Sequence, residues 1–242
     1  MANLVGREMV TALACIGPLR DDRIHLPDSA GSMTITRPAD FDLLLDNAAD
    51  DPEQNLPYWA EIWPSGVALA ARIARIPELL ADKRVLEIGC GLGVTAVAAL
   101  RAGADLVVTD YAAEALHLCA LNCRREAGRE PEVIRANWRT PSADSVPWRA
   151  GAYPLVLAAD VLYEVRDLEP LLALVERVVA PTGELWLAEP GRVPATLLVE
   201  TLAVRGWTDD RETRDGPWPD PEDNRKGVVV TIHRLRRRSP GW

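Results

Sequence analysis

The chain is expected to fold as an α/β protein. It should have a doubly wound, mostly parallel seven-stranded sheet, an antiparallel C-terminal hairpin and a small N-terminal β extension. Three observations carry this expectation. Short apolar runs alternate with longer amphipathic stretches between residues 84 and 204. A glycine cluster, Gly89-Cys-Gly91-Leu-Gly93, follows the first of those runs and opens a helix. The length of 242 residues, 48% of them hydrophobic, suffices for one sizeable core and is too apolar for a disordered chain.

The elements follow in order. Residues 84–88 (RVLEI) form a short run with branched residues and read as a buried strand. Residues 94–101 (VTAVAALR) read as a helix, with Gly103 at its end. Residues 106–109 (LVVT) are a second buried strand, and residues 112–127 a long helix closed by Gly128. Weaker strand character at 132–135 is followed by a fourth strand at 155–159 and a helix at 168–179. A fifth strand is expected at 184–188, a helix at 194–204, a sixth strand at 207–213 and a strong seventh at 227–233 (GVVVTIH). The last two strands have only a Pro-, Gly- and acid-rich loop between them, which predicts a hairpin at one sheet edge. Upstream, residues 65–76 read as a helix with Leu69, Ile73 and Ile76 on one face and Ser65 as its cap. Residues 9–15, 23–26 and 33–36 hold short β-like pieces. The expected organisation is an N-terminal extension over 1–54, a main domain over 55–235 and a basic tail over 236–242.

Composition narrows the function. There are 27 Lys+Arg against 36 Asp+Glu, a net charge of −9, which argues against bulk phosphate binding; no nucleic-acid partner is expected. The run Arg234-Leu-Arg-Arg-Arg238 reads as a solvated tail or a loose contact with an acidic partner rather than a nucleic-acid site. Residues 1–20 lack a charged n-region followed by an uninterrupted apolar stretch, and there is no run of about 18 apolar residues. A cytoplasmic protein without membrane attachment is therefore expected, and a monomer. Cys119 and Cys123 share a helix face, but no further ligands stand nearby, so the four cysteines read as free thiols and no metal is expected.

The glycine loop separates two nucleotide classes. It follows a strand, and Asp110 ends the next strand, where a carboxylate can accept hydrogen bonds from both ribose hydroxyls. A dinucleotide needs G-x-G-x-x-G/A and a helix N-terminus free for pyrophosphate. Here the spacing is G-x-G-x-G, Val94 stands where a small residue is needed, and Glu87 brings a negative charge beside the loop. S-adenosylmethionine carries a sulfonium and an ammonium instead, which suits Glu87.

At this point the chain resembles the class I, seven-β-strand S-adenosylmethionine-dependent methyltransferases over roughly residues 55–235. The segment Leu56-Pro-Tyr-Trp59-Ala-Glu-Ile-Trp63-Pro-Ser-Gly66 and the Asp160-Val-Leu-Tyr163 segment resemble the family-16 group, which includes many protein-lysine methyltransferases. Glu189-Pro-Gly-Arg192 is similar to the D-P-G-R turn of the branch that methylates lysine in the electron-transfer flavoprotein β-subunit, with Glu189 a conservative departure.

The resemblance implies a Rossmann-like fold. It also implies S-adenosyl-L-methionine as cofactor, with S-adenosylhomocysteine as product, and a lysine-bearing protein as acceptor. A small-metabolite N- or O-methyltransferase is the alternative. The expected cofactor-binding residues are Trp59, Trp63, Glu87, Gly89, Cys90, Gly91, Gly93, Asp110, Tyr111, Asn137, Trp138 and Asp160. Asp160 and Tyr163 are implied at the lip where the acceptor arrives. Trp59 and Trp63, four apart, can meet on one side of a short turn, and Trp138 can pack on an adenine face or fill the core. Arg192 can bind an acceptor carboxylate or pair with an acid and hold its loop; the sequence leaves both open. Neither His117 in mid-helix nor His233 in the last strand is expected as a base.

Overall fold

The computed structural model describes residues 16–48, 56–140, 149–219 and 227–238. Seven strands form one sheet in the order β5-β4-β3-β6-β7-β9-β8. Their ranges are β3 Arg84–Ile88, β4 Asp105–Asp110, β5 Glu132–Arg135, β6 Tyr153–Ala159, β7 Val179–Glu189, β8 Trp207–Arg214 and β9 Val230–Arg237. The pairs β3–β4, β3–β6, β4–β5 and β6–β7 are parallel. Strand β9 runs antiparallel to both β7 and β8. The C-terminal antiparallel pair is thus present, but β9 inserts inside the sheet and β8 takes the edge. Its residues explain this: β9 buries Val230, Ile232 and Leu235, whereas β8 reads Trp-Thr-Asp-Asp-Arg-Glu-Thr-Arg and tolerates an open side.

Period-two alternation splits the core into two layers. Val85, Leu155, Leu157, Trp186 and Ala188 face one side of the sheet; Leu86, Ile88, Val156, Ala158, Leu185 and Leu187 face the other. The first side is covered by α2 (Pro64–Arg75), α3 (Val94–Arg101) and α4 (Ala113–Ala127), the second by α5 (Leu168–Val178) and α6 (Val193–Val204).

Residues 19–25 and 32–38 form an antiparallel hairpin, β1 (Leu19–His25) and β2 (Ser32–Pro38), packed against α4. The expected strand at 9–15 lies outside the described residues. A helix α1, Phe41–Ala48, follows and has no counterpart among the sequence expectations; Asp40 caps it, accepting the Leu43 N–H at 3.0 Å. Helix α2 begins one residue earlier than expected. Trp63 is its N-cap residue and Pro64 its first helical residue, because proline's fixed φ suits that position. Ser65 is therefore not the cap: it lies inside the first turn, fully buried. The run Arg234–Arg237 likewise belongs to β9 rather than to a solvated tail. Arg234 pairs with Glu184 at 2.9 Å, and Arg237 donates to the Val179 carbonyl and stacks over Trp207.

Candidate active site

The chain runs outward from β3 to β4 and β5, then returns to β6 on the other side of β3. Such a switch point opens a crevice at the carboxyl ends of the strands. The glycine loop after β3, Asp110 at the end of β4 and Asp160 after β6 all stand there. They border a cavity of about 670 Å³ that is continuous with solvent at its mouth.

Backbone bonds shape the glycine loop. The N–H groups of Gly89 and Cys90 both donate to the Thr109 carbonyl, at 2.9 and 3.0 Å, and Gly93 N–H donates to the Cys90 carbonyl. Gly91 has φ 49°, and a Cβ there would lie 3.3 Å from the Trp59 carbonyl oxygen, so the loop wall and the Trp59 segment approach as only glycine allows. Gly93 does different work. At φ 84° it is the N-cap of α3, and a Cβ there would meet Cys119 Sγ at 2.7 Å. It packs against α4 and does not line the cavity.

Asp110 is buried at the end of β4. Its Oδ2 accepts the Gly91 N–H at 3.0 Å and its Oδ1 the Ala112 N–H at 3.1 Å. The Tyr111 N–H also bears on the carboxylate, which still leaves acceptor capacity for a further donor. Burial pushes its pKa up to about 6, against the backbone N–H bonds that lower it. Glu87 is also buried; burial, and then the charge of Asp110, raises its pKa well above the ordinary value. Its Oε2 has no hydrogen-bond partner. Two buried carboxylates with an unmet oxygen form a site that gains from a cationic ligand. Among the described residues no lysine or arginine lines the cavity, which is the reverse of what a pyrophosphate needs. Both features fit S-adenosylmethionine.

Tyr58, Trp59 and Trp63 wall the same cavity. Tyr58–Ala60 forms a 3-10 turn, and Trp63 Nε1 donates to the Tyr58 carbonyl at 2.7 Å, which folds the segment back on itself. Tyr58 stands edge-on to Trp63 at 6.0 Å and to Tyr163 at 5.0 Å, making an aromatic collar. Trp138 is buried and faces Gly89, and its Nε1 has no partner. Its neighbour Arg139 pairs with the buried Asp167. Tyr111 lines the cavity and donates its hydroxyl to the Leu56 carbonyl at 2.9 Å. Asn137 stands outside the main cavity, in an adjoining recess with Tyr111, Trp138, Arg139 and Tyr163.

Asp160 has φ 54°, an uncommon conformation for a residue with a side chain. Its carboxylate is 4% exposed and binds Arg192, with Nε at 2.7 Å and a second nitrogen at 3.4 Å. The guanidinium also lies 6.0 Å from the Trp63 ring. Of the two roles open for Arg192, pairing with an acid is the one present. The Glu189 carboxylate organises the turn that carries it, accepting the N–H groups of Gly191 at 2.6 Å and Arg192 at 3.0 Å. Burial holds the Tyr163 phenol well above its ordinary pKa. Burial likewise pushes the Cys90 thiol up to about 12.

The cavity thus gathers eleven of the expected residues and not Gly93 or Asn137: Trp59, Trp63, Glu87, Gly89, Cys90, Gly91, Asp110, Tyr111, Trp138, Asp160 and Tyr163. It adds Tyr58, Glu61, Gly66, Leu92, Val94, Thr95, Ala159 and Val161. Tyr58, Glu61, Gly66 and Val161 lie within the segments quoted above and could have been found there; Thr95 carries no sequence sign.

The chain is similar to known proteins. A family model described as lysine methyltransferase, family 16, matches residues 53–193. The histone-arginine methyltransferase METTL23 of Xenopus laevis is 33% identical over 140 residues, covering 54% of this chain and 57% of that protein. The electron transfer flavoprotein beta subunit lysine methyltransferase of the same organism is 29% identical over 142 residues, covering 56% of this chain and 53% of that protein. The chain therefore spans little more than half the length of these curated relatives.

Among solved structures, a candidate RNA methyltransferase from Pyrococcus horikoshii superposes with a TM-score of 0.57 at 16% identity, over 80% of this chain and 96% of that one. Magnesium protoporphyrin IX methyltransferase from Synechocystis, solved with S-adenosylhomocysteine, gives 0.50 at 14% identity over 71% of this chain and 81% of that one. These two likenesses establish the fold. With more than half of its residues under the family model, the chain belongs to the family-16 lysine methyltransferases.

Proposed function

We propose that the chain transfers a methyl group from S-adenosyl-L-methionine to a lysine side-chain amine of a protein. The carrying observation is the collar of Tyr58, Trp63 and Tyr163, beside Asp160, at a cavity walled by the glycine loop, Glu87 and Asp110.

When bound, the cofactor supplies an electrophilic methyl group on a sulfonium and leaves as S-adenosylhomocysteine. Asp110 would accept the ribose hydroxyls, Glu87 would face the cationic groups, and Trp138 would pack on the base. Asn137, in the adjoining recess, is assigned to the base's edge. Gly89, Cys90 and Gly91 give the close backbone wall, while Gly93 sets that wall from behind. The collar attracts an alkylammonium through its aromatic faces and narrows its approach to one line.

The amine must reach the methyl group without its proton. A free Asp160 carboxylate would favour the ammonium. Arg192 already neutralises it, so burial in the collar is left as the stronger influence, and burial favours the neutral amine. Tyr163 stays protonated at neutral pH, and its oxygen can accept a hydrogen bond from the amine and orient the lone pair.

Relatives named for protein acceptors support a protein substrate, and the Glu189-Pro-Gly-Arg192 turn favours the electron-transfer flavoprotein β-subunit. The test is incubation with methyl-labelled cofactor, a cell lysate and purified β-subunit, followed by hydrolysis of the labelled protein. Methyl-lysine is expected. Methyl-arginine would move the acceptor to a guanidinium, as the METTL23 relative suggests. Label confined to low-molecular-weight material would replace the protein acceptor with a metabolite.

A further inference from the structure

A buried side chain links the N-terminal hairpin to the cavity wall. Asn122 lies on α4 and is fully buried. Its Oδ1 accepts the Thr36 N–H at 2.8 Å. Its Nδ2 donates to the Thr36 carbonyl at 3.0 Å and to the Leu92 carbonyl at 2.9 Å. The first two bonds satisfy the outer edge of β2 as a neighbouring strand would. The third falls on the glycine loop, between Gly91 and Gly93. An amide nitrogen has two hydrogens, so one serves the hairpin and the other serves the loop.

The next hairpin residue makes a second tie. Arg37 is buried, and its guanidinium pairs with Asp22 at 2.6 Å and with Glu61. Glu61 lines the cavity. Consecutive residues of β2 are therefore tied to two of its walls, Thr36 by way of Asn122 and Arg37 by way of Glu61.

We propose that Asn122 is a positioning residue for the cofactor, and that through it the N-terminal hairpin is part of the cofactor site. The inference rests on the S-adenosylmethionine reading above. A loop with three glycines at positive φ has unusual backbone freedom, and it binds tightly only if something outside it restricts that freedom. Asp110 fixes Gly91 from one neighbour, and Asn122 fixes Leu92 from another. A side chain that merely filled the core would support folding but leave the affinity of the folded protein alone.

The test is calorimetric titration of S-adenosylhomocysteine into the full chain, at a temperature where circular dichroism shows each variant folded. Asn122→Ala should weaken binding at least ten-fold. Arg125→Ala is the control. Arg125 ties the same hairpin to the same helix, through Asp21 at 2.8 Å, without touching the loop, and its loss should change affinity less than two-fold. Equal affinity in Asn122→Ala and the parent overturns the inference alone. No binding by the parent overturns the cofactor reading, and the inference with it.

Should Asn122→Ala fail to fold, hydrogen exchange on the parent decides. If the hairpin supports the loop, the cofactor must in turn support the hairpin. S-adenosylhomocysteine should then slow exchange in β2 more than in β8 at the far sheet edge; equal slowing refutes the coupling.

Discussion

Glu87 and Asp110 are buried carboxyl groups, each costly to ionise in the protein interior. Burial shifts both upward, and Glu87 also feels the Asp110 charge. A folded protein holds such a pair where a ligand repays it. Asp110 is the more informative to remove, because it holds Gly91 and Ala112 and faces the cavity. Asp110→Ala should weaken S-adenosylhomocysteine binding by at least ten-fold, the loss expected for hydrogen bonds to a charged group. Stability should fall far less, since the lost loop bonds are offset by relief from burying the carboxylate. Titration calorimetry and thermal unfolding of the same variant separate the two, and an unchanged affinity would end the ribose assignment. At this scale, residues at strand ends were readable, because the strand and its following turn set their direction. Gly93 was readable as a glycine but not in its task, because Cys119 reaches it only through tertiary packing. The partner of Arg192 was equally hidden, since Asp160 comes from another strand.

Elements were readable where their pattern was local. The apolar runs of β3, β4 and β6 and the capped helices α3 and α4 follow their periodicities. Helix α1 is the exception, with only the Asp40 cap to mark its start and no glycine turn after it to frame it. Strand order near the C-terminus was set by burial. Strand β9 supplies His233 between Asp209 of β8, 2.8 Å from Nδ1, and Glu189 of β7, 3.5 Å from Nε2. Burial disfavours the imidazolium, but the hydrogen bonds it donates to Glu189 and Asp209 outweigh it, so the His233 pKa is raised. For Glu189, burial acts upward, but His233 and the N–H groups of Gly191 and Arg192 hold it below the ordinary value. A raised histidine pKa gives stability that is full below the unfolded value near 6.5 and fades as pH rises through the folded one. His233→Gln should therefore cost about 1–3 kcal/mol in urea unfolding at pH 6 and clearly less at pH 9. A cost that did not depend on pH would show that the imidazolium contributes nothing to this junction.

At the scale of the whole molecule, the net charge of −9 says less than where four carboxylates stand. Glu61, Glu87, Asp110 and Asp160 all border the cavity. Arg37 answers Glu61 and Arg192 answers Asp160. Among the described residues no arginine or lysine pairs with Glu87 or Asp110; on the function proposed above, ligand binding there is coupled to stability and to pH. A ligand that binds only the folded state at a hundred times its dissociation constant adds about 2.7 kcal/mol. For a chain of this size that is a rise of about 5 to 10 °C in melting temperature. S-adenosylhomocysteine retains the ammonium and ribose that these carboxylates would meet, so the rise should appear at pH 7.5. Asp110 takes up a proton as pH falls through about 6. Its ionised form, the better ribose acceptor, is then lost. At pH 5, with the same ligand concentration, the rise should shrink by half or more. In Asp110→Ala the remaining rise should lose much of this dependence between pH 5 and 7.5. An undiminished rise at pH 5 in the parent chain would mean that the ionised Asp110 carboxylate is not what the ligand uses.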